Sequence, residues 1–244
     1  MKWISSLFFM GLVFFLIIAL QNWKVREMVL MKMADSKSLP KSVKTVQEID
    51  AKLSDLEKQS FSKLDESYLN YSKSLDGKYH SLLKDKNYYI LDRSDFFKTI
   101  VNDIRIKDLL TKDKFYKACL FDANKSYYWL MDKKLLHKIW LLQNTLDKKG
   151  FNPNGFSVVN GHRHPLYNEQ VGGASKSRHI KGEAIDIHIQ DIDGNGYYEE
   201  KDKQIVLDLL EKIIIKSEGG IGKYPETRAV HFDVRGYRAR WDSY

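Results

Sequence analysis

The chain has 244 residues, a formal net charge of +8 and a single cysteine. This length allows one or two domains, and the hydrophobic content of 43% is enough to form a core. One cysteine excludes an internal disulfide and argues against a multi-cysteine metal site. The sequence contains no nucleic-acid-binding motif. We therefore expect the basic surface to meet an anionic cell wall or membrane rather than nucleic acid.

The first segment is an uncharged run over residues 3–20, which is about long enough to cross a bilayer. Lys2 precedes this run, as in a signal sequence, and no clear cleavage site follows it. We interpret residues 1–21 as an uncleaved signal-anchor that forms a transmembrane helix, with a cleaved signal peptide as the alternative. Residues 22–42 are polar and mixed, which predicts a linker.

Residues 43–130 show short amphipathic patterns, and we predict a helical region here. The first pattern has apolar residues at helical spacing, namely Val46, Ile49, Leu53 and Leu56, then Leu64, Tyr68, Tyr71 and Leu75. It fits a short coiled coil or an amphipathic helix that packs on the next domain. We predict a separate domain over residues 131–244, which begins with an amphipathic helix over residues 132–149.

The stretch from residue 160 to 188 contains four histidines and concentrates the residues that could bind a metal or take part in catalysis. Residues 184–189 alternate and are β-branched, which predicts a strand with Asp186 and His188 on one face. Gly182 permits a sharp turn that brings His179 back beside Asp186. One imidazole and one carboxylate are two of the three protein ligands that a catalytic zinc site needs.

A third ligand is expected on a second strand. Residues 229–234 alternate strictly, which predicts a strand with His231 and Asp233 on one face. If the two strands are neighbours, His231 joins His179 and Asp186 and leaves a fourth position open. Taken singly, each histidine is more often an ordinary core or surface residue. An ordered set of three is less easily explained by chance, but spacing alone leaves both the zinc site and the ordinary histidines open.

Several motifs in the second half of the chain follow one order. They are Asn160-Gly-His-Arg163, Tyr167-Asn168, Val171-Gly-Gly-Ala174, Ser177-Arg-His179-Ile-Lys-Gly182-Glu-Ala184-Ile-Asp186, Gly220-Ile-Gly222-Lys-Tyr224-Pro225 and Val230-His231-Phe-Asp233. Residues 158–188 and 219–241 thereby resemble the zinc D-alanyl-D-alanine peptidases of the bacterial cell wall, whose fold sonic hedgehog shares. The resemblance implies an α+β fold, in which helices flank a small antiparallel sheet that carries the zinc site. It implies His179, Asp186 and His231 as zinc ligands, and Arg163 as the residue that holds the substrate carbonyl or its oxyanion.

The function implied by this resemblance is hydrolysis of peptide bonds in the stem peptides of peptidoglycan. The enzyme would be a D-Ala-D-Ala carboxypeptidase or a cross-link endopeptidase. Since that substrate lies outside the cytoplasm, we expect a single-pass protein of the bacterial cell membrane with its catalytic domain on the periplasmic or wall side. The alternatives are a catalytically inactive, zinc-stabilised binding module and a purely structural tether of the envelope.

The general base is the point where the chain departs from the resembled pattern. Many relatives carry an acid three residues before the last histidine, and Arg228 stands there in this chain. We predict Glu226 as the base and Asp233 as its rival, which would otherwise orient a zinc-bound imidazole. We interpret His162, His164 and His188 as supporting or structural, and His188 is the strongest candidate of the three for a role at the site.

Residues 191–202 have the spacing of a calcium-binding loop, with Gly196 at its sixth position. The predicted ligands are Asp191, Asp193, Asn195, Tyr197 and Asp202. Aspartate replaces the usual glutamate at the twelfth position, which indicates weaker coordination. The alternative is a polar turn between a strand and a helix. The cofactors implied by the sequence are therefore zinc and, in this loop, calcium.

Overall fold

The structure is a computed structural model that describes residues 19–37 and 41–242. The α-helices are α1 (Trp23–Lys37), α2 (Val46–Ser54), α3 (Glu66–Tyr71), α4 (Gly77–Leu83), α5 (Lys114–Phe121), α6 (Lys133–Lys148), α7 (Pro165–Gln170) and α8 (Glu200–Leu209). The strands are β1 (Lys58–Ser60), β2 (Asn87–Leu91), β3 (Thr99–Val101), β4 (Ile104–Arg105), β5 (Tyr127–Trp129), β6 (Phe156–Asn160), β7 (Ala184–Ile189), β8 (Gly220–Lys223), β9 (Ala229–Asp233) and β10 (Ala239–Asp242). Single helical turns cover Phe61–Lys63, Asp95–Phe97, Ile106–Leu109 and Arg178–Lys181, and a π-helical turn, Leu210–Ile214, extends α8.

A five-stranded sheet forms the centre of the second half of the chain, in the order β10-β8-β9-β7-β6. All of its pairs are antiparallel except β10 with β8, which is parallel. The prediction of a wholly antiparallel sheet is therefore wrong at this edge. Because β9 already runs antiparallel to β8, a chain that reverses after β9 and lies on the other side of β8 must run parallel to β8.

The main hydrophobic core lies behind this sheet and against α6. Ile185 and Ile187 of β7 face the core, whereas Asp186 and His188 alternate to the other face. The predicted helix over residues 132–149 is confirmed, and its buried positions recur every three or four residues. The same core cluster contains Ile49 of α2, so it joins residues on both sides of the predicted boundary at residue 131.

The prediction that residues 43–130 are helical is only partly correct. Strands β1, β2 and β5 form a three-stranded sheet there, and β3 pairs with β4. The helical spacing that begins at Val46 ends with α2 at Ser54, and β1 then pairs with β2. The apolar residues on either side of this break belong to different elements, so the helical spacing that resumes at Leu64 does not continue the same helix.

Residues 22–42, predicted to be a linker, contain helix α1, which packs on the folded chain. Trp23 and Leu30 contact the core, and Glu27 and Asp35 form ion pairs with Lys107 (3.1 Å) and Arg105 (3.0 Å). The predicted transmembrane helix over residues 1–21 lies outside the described residues, apart from its last three. No helix within residues 19–37 and 41–242 has the length and apolar character needed to cross a membrane.

Candidate metal centre

Two strands and one helical turn bring the predicted zinc ligands together. Strands β7 and β9 are neighbours, and Asp186 and His231 are directly paired across them. His179 lies on the turn Arg178–Lys181, just before β7. Gly182 ends this turn with a φ of +66°, and a Cβ there would lie 2.2 Å from the carbonyl oxygen of Leu130. Only glycine fits, so the backbone at this point folds His179 back over β7.

The three side chains are buried and point at one another. His179 Nε2 lies 3.2 Å from Asp186 Oδ1 and 3.2 Å from His231 Nδ1, and His231 Nδ1 lies 2.8 Å from Asp186 Oδ1. Zinc bonds of ~2.0–2.2 Å in a tetrahedron place neighbouring ligand atoms roughly 3.3–3.6 Å apart. The cluster is therefore slightly contracted but of the right size for zinc.

In each imidazole, the hydrogen bond made by the nitrogen that faces away from the cluster decides whether the nitrogen that faces into the cluster carries a proton. His179 Nδ1 lies 2.7 Å from the carbonyl oxygen of Gly161, so this nitrogen carries the proton and Nε2 has a free lone pair. His231 Nε2 lies 3.2 Å from Asp233 Oδ2, so its proton faces that carboxylate and Nδ1 is free. Two lone pairs and a carboxylate oxygen therefore converge without a proton to share. A metal cation can accept electron pairs from all three of these atoms, so the residues fit a metal.

The charges around this cluster shift the pKa of each member. Burial alone would raise the pKa of Asp186, but His179 and His231 outweigh burial and hold that pKa well below its usual range. Burial lowers the pKa of His179. Burial alone would lower the pKa of His231, but the nearby carboxylates of Asp186 and Asp233 favour the charged imidazolium and raise that pKa. The ionised form of Asp186, which a metal ligand requires, is thus favoured.

Asp233 is fully buried and supports His231 from behind. Its carboxylate accepts hydrogen bonds from the backbone N–H of Gly220 (2.9 Å) and from Nε of Arg235 (2.8 Å), in addition to His231. Burial would raise its pKa, but His231 and Arg235 lower it well below the usual range. Its oxygens are already occupied, so the position suits the orienting role better than that of a base.

Arg163 lies beside the cluster. Its backbone N–H donates to the carbonyl oxygen of His179 (3.1 Å), and its guanidinium forms an ion pair with Asp186 through Nη2 and Oδ2. Its buried Nε has no hydrogen-bond partner among the residues that the structure describes. One oxygen of Asp186 thus faces the histidines and the other faces Arg163, which holds a planar cation next to the metal position.

The other histidines of the central stretch have different surroundings. His164 caps α7, because its Nδ1 accepts from the backbone N–H of Tyr167 (3.2 Å) and its Nε2 lies 2.6 Å from Asp113. His162 is buried, and burial lowers its pKa to about 3, which keeps it neutral. Both are structural, in agreement with their interpretation from sequence. His188 is exposed and faces the cleft beside Asp186.

Glu226 lies on the exposed turn between β8 and β9, with a φ of +60°. Its neighbours Tyr224 and Thr227 line the cleft above the metal cluster, whereas Glu226 does not. Its role as general base therefore stays a prediction, and it requires the turn to move toward the cleft.

The cleft above the cluster has a volume of about 1010 Å³. Sequence reasoning missed the side chains that form one of its walls, namely Arg178, Arg235, Tyr237 and Trp241. Gly222 was the available signal, since a glycine within a strand often marks a close approach by another group. A Cβ at Gly222 would lie 2.7 Å from the indole of Trp241.

The predicted calcium loop brings three carboxylates together. Oxygens of Asp191, Asp193 and Asp202 all lie within 4.8 Å of one another. Backbone N–H groups already bind Asp191 and Asp202, and Lys201 pairs with Asp193 at 2.9 Å. The side chains of Asn195 and Tyr197 are exposed. These contacts already satisfy much of the charge of the three carboxylates, and calcium binding stays a prediction.

A buried cluster of two histidines and an aspartate beneath an open cleft defines a metallopeptidase-like site. The M15-type family described as peptidoglycan L,D-endopeptidase MepK matches residues 108–241, which is more than half of the chain. The chain therefore belongs to this family of peptidoglycan-hydrolysing metallopeptidases, and the resemblance noted in the sequence is confirmed. No curated protein and no solved structure shows significant similarity to the chain.

Proposed function

We propose that the chain is a zinc-dependent endopeptidase that hydrolyses peptide cross-links between the stem peptides of peptidoglycan. One observation carries the proposal: two imidazole lone pairs and a carboxylate oxygen converge within 3.2 Å beneath an open cleft. The L,D-endopeptidase activity in the family's description favours cross-link cleavage over removal of a terminal D-Ala.

The roles of the residues follow from their contacts. His179, Asp186 and His231 would hold zinc through Nε2, Oδ1 and Nδ1. Zinc bound there supplies polarisation of the scissile carbonyl and makes a water molecule acidic enough to attack near neutral pH. Arg163, which is always charged, would stabilise the negative charge that develops on the carbonyl oxygen. Asp233 and the carbonyl of Gly161 keep the two imidazoles oriented.

The proton of the attacking water needs an acceptor. We propose Glu226 for this role, delivered by movement of the turn that carries it. Asp233 is the weaker candidate, because its oxygens are bound by His231, Arg235 and Gly220. We therefore assign Asp233 to the positioning of His231.

A zinc-stabilised binding module without hydrolysis is the second candidate function. It is favoured by the scarcity of acids at the site. Among the residues that the structure describes, Asp186 is the only carboxylate that lines the cleft. If Glu226 does not reach the cleft, the chain would hold a metal and a peptide without a base.

The proposed substrate places the catalytic part on the outer side of the bacterial cell membrane, with residues 1–21 as a single-pass anchor. Both statements are proposals. They follow from the location of peptidoglycan and from the apolar character of residues 3–20.

Digestion of intact wall sacculi and purified muropeptides by the zinc-loaded protein tests the function. Cross-linked dimers should disappear and monomers accumulate in the mass spectrum, and a chelator should stop the reaction until zinc is restored. Loss of a single terminal D-Ala from monomers, with dimers intact, would indicate a carboxypeptidase. Absence of any product from protein with full zinc would instead establish the binding module.

A further inference from the structure

One wall of the cleft begins at a metal-site histidine. The indole of Trp241 lies against the imidazole of His231, with ring centroids 5.1 Å apart. Trp241 pairs in register with Gly222, which in turn pairs with His231 across β9. Because Gly222 has no side chain, the indole can lean across β8 and reach His231. The wall is therefore built next to the position where the scissile bond must lie.

Alternating cations and aromatic rings continue this wall outward. The guanidinium of Arg235 lies 5.0 Å from the ring of Trp241 and 5.7 Å from that of Tyr237. Arg178 lies 5.7 Å from the same tyrosine ring and donates a hydrogen bond to its hydroxyl (3.1 Å). Guanidinium groups that pack on aromatic rings are held in fixed planes, and their edges stay available for hydrogen bonds.

Carboxylates outside the cleft hold both guanidiniums from behind. Asp233 binds Nε and Nη2 of Arg235, and Glu183 binds Nη1 of Arg178 (2.9 Å). Neither acid lines the cleft. Within residues 19–37 and 41–242, Nη1 of Arg235 and Nε of Arg178 make no hydrogen bond, and Lys176 adds a further positive charge to the lining. Oriented, partly satisfied guanidiniums are well suited to bind a carboxylate.

Part of the cleft lining is apolar. Val159 and Val171 line it and are 51% and 47% exposed, and Gly172, Gly173 and Ala174 add little bulk. A ligand that fits this lining presents a small apolar group to the valines and an anionic group to the arginines. A peptide with small side chains and a free carboxylate has this character.

We propose that Arg178 and Arg235 bind a free carboxylate on the substrate residue next to the scissile bond, so that the enzyme selects stem peptides with a free acid over amidated ones. This inference rests on the proposed function and adds the determinant of specificity to it. Trp241 and Tyr237 are positioning residues in this wall, because they fix the planes of the two guanidiniums.

The experiment compares two cross-linked peptides that differ only in that carboxylate, which is free in one and amidated in the other. The zinc-loaded wild-type protein should cleave the free acid with a kcat/KM about 10-fold higher or more, the effect expected of charge-assisted hydrogen bonds. In Arg178→Gln the ratio between the two peptides should fall toward 1. Glu183 keeps Lys86 as a partner at 3.6 Å in that variant, which limits the damage to the fold.

Arg238→Gln is the matched control. It removes the same charge from the residue next to Tyr237, but Arg238 pairs with Glu211 outside the cleft, so the preference for the free acid should stay at the wild-type value. A ratio near 1 in the wild type would overturn the proposal, as would an unchanged ratio in Arg178→Gln. If the wild type cleaves neither peptide, the proposed hydrolysis fails. In that case tryptophan fluorescence measures the affinity of the protein for each uncleaved peptide. The ratio of the two affinities then tests the inference in the same way.

Discussion

At the scale of single residues, the metal cluster depends on atoms that would not touch the metal. The carbonyl of Gly161 and the carboxylate of Asp233 each hold the outer N–H of an imidazole, and this contact decides which nitrogen faces inward. His179 therefore presents Nε2 and His231 presents Nδ1. Removing such a support typically costs ~10–100-fold in metal affinity.

His231→Ala should abolish stoichiometric zinc binding and lower the melting temperature, because the free energy of metal binding adds to that of folding. Elemental analysis of the purified variant and thermal unfolding with and without zinc measure both effects. His188→Ala is the control, since His188 shares the face of Asp186 but lies outside the cluster. Full zinc content in His231→Ala would show that the ligand assignment is wrong.

Glu226→Gln separates the two candidates for the base. If Glu226 accepts the proton of water, the variant should keep its zinc and lose ~10²–10⁴-fold in kcat. Asp233→Asn should mainly lower the affinity for zinc, because it weakens the hydrogen bond that orients His231. The assignment of roles would be reversed if Glu226→Gln retained full activity while Asp233→Asn kept its zinc and was inactive.

At the scale of elements, the segment from Leu109 to Met131 packs against the stretch that carries the candidate metal ligand His179 and its neighbouring motif residues. The hydroxyl of Thr111 donates to the carbonyl of His162 (2.6 Å), Asp113 binds His164, and the carbonyl of Leu130 lies against Gly182. These contacts give a physical reason for the family match to begin at residue 108, ahead of the boundary at 131 that the sequence predicts.

Gly182→Ala should displace the turn that carries His179. The residue has a positive φ, which costs a non-glycine residue roughly 1–3 kcal/mol, and its Cβ would overlap the carbonyl of Leu130. We expect a lower melting temperature together with weaker zinc binding in a competition titration. Gly194→Ala also has a positive φ but meets no atom within 4 Å, so it should lose stability without losing zinc. Equal zinc affinity in the two variants would contradict this account.

The loop Asp191–Asp202 gives a separate prediction. Millimolar calcium should raise the melting temperature of the wild type, because a cation bound to the folded loop stabilises it by mass action. Asp193→Ala should remove this rise, and Glu218→Gln, an exposed acid elsewhere, should not. No response of the wild type would identify the loop as a turn whose carboxylates are satisfied by backbone N–H groups.

The sequence predicted the elements whose pattern is local. Strands β7 and β9 alternate over five or six residues, and α6 has a regular apolar face, so each was recognisable on its own. Strands β1, β3, β4 and β5 have only two or three residues each, and distant partners determine them. The cleft wall was missed for the same reason, since Trp241 meets His231 only when three strands are paired.

At the scale of the whole molecule, one core links the first helices to the catalytic half. Ile49 and Leu53 of α2 are buried in the same cluster as Leu135 and Ile139 of α6. Helix α1 adds ion pairs through Glu27 and Asp35. The region before residue 131 is therefore part of what holds the candidate metal site in place.

A fragment that starts at residue 78 should unfold without cooperativity or be insoluble, whereas one that starts at residue 41 should fold. Loss of a buried Ile or Leu side chain costs ~2–5 kcal/mol, and whole domains are stable by only ~5–15 kcal/mol. Circular dichroism during heating, with zinc present, compares the two fragments. A sharp transition at the same temperature in both would show that residues 41–77 are dispensable.

The pairing of β7 with β9 also has a consequence for the order of events during biosynthesis. His179 and Asp186 leave the ribosome close together, but His231 follows 52 residues after the first of them. Until then a nascent chain offers only two of the three ligands, and the strand that carries the third does not exist. The complete ligand set, and with it the proposed hydrolytic activity, can therefore form only after residue 231 has been synthesised.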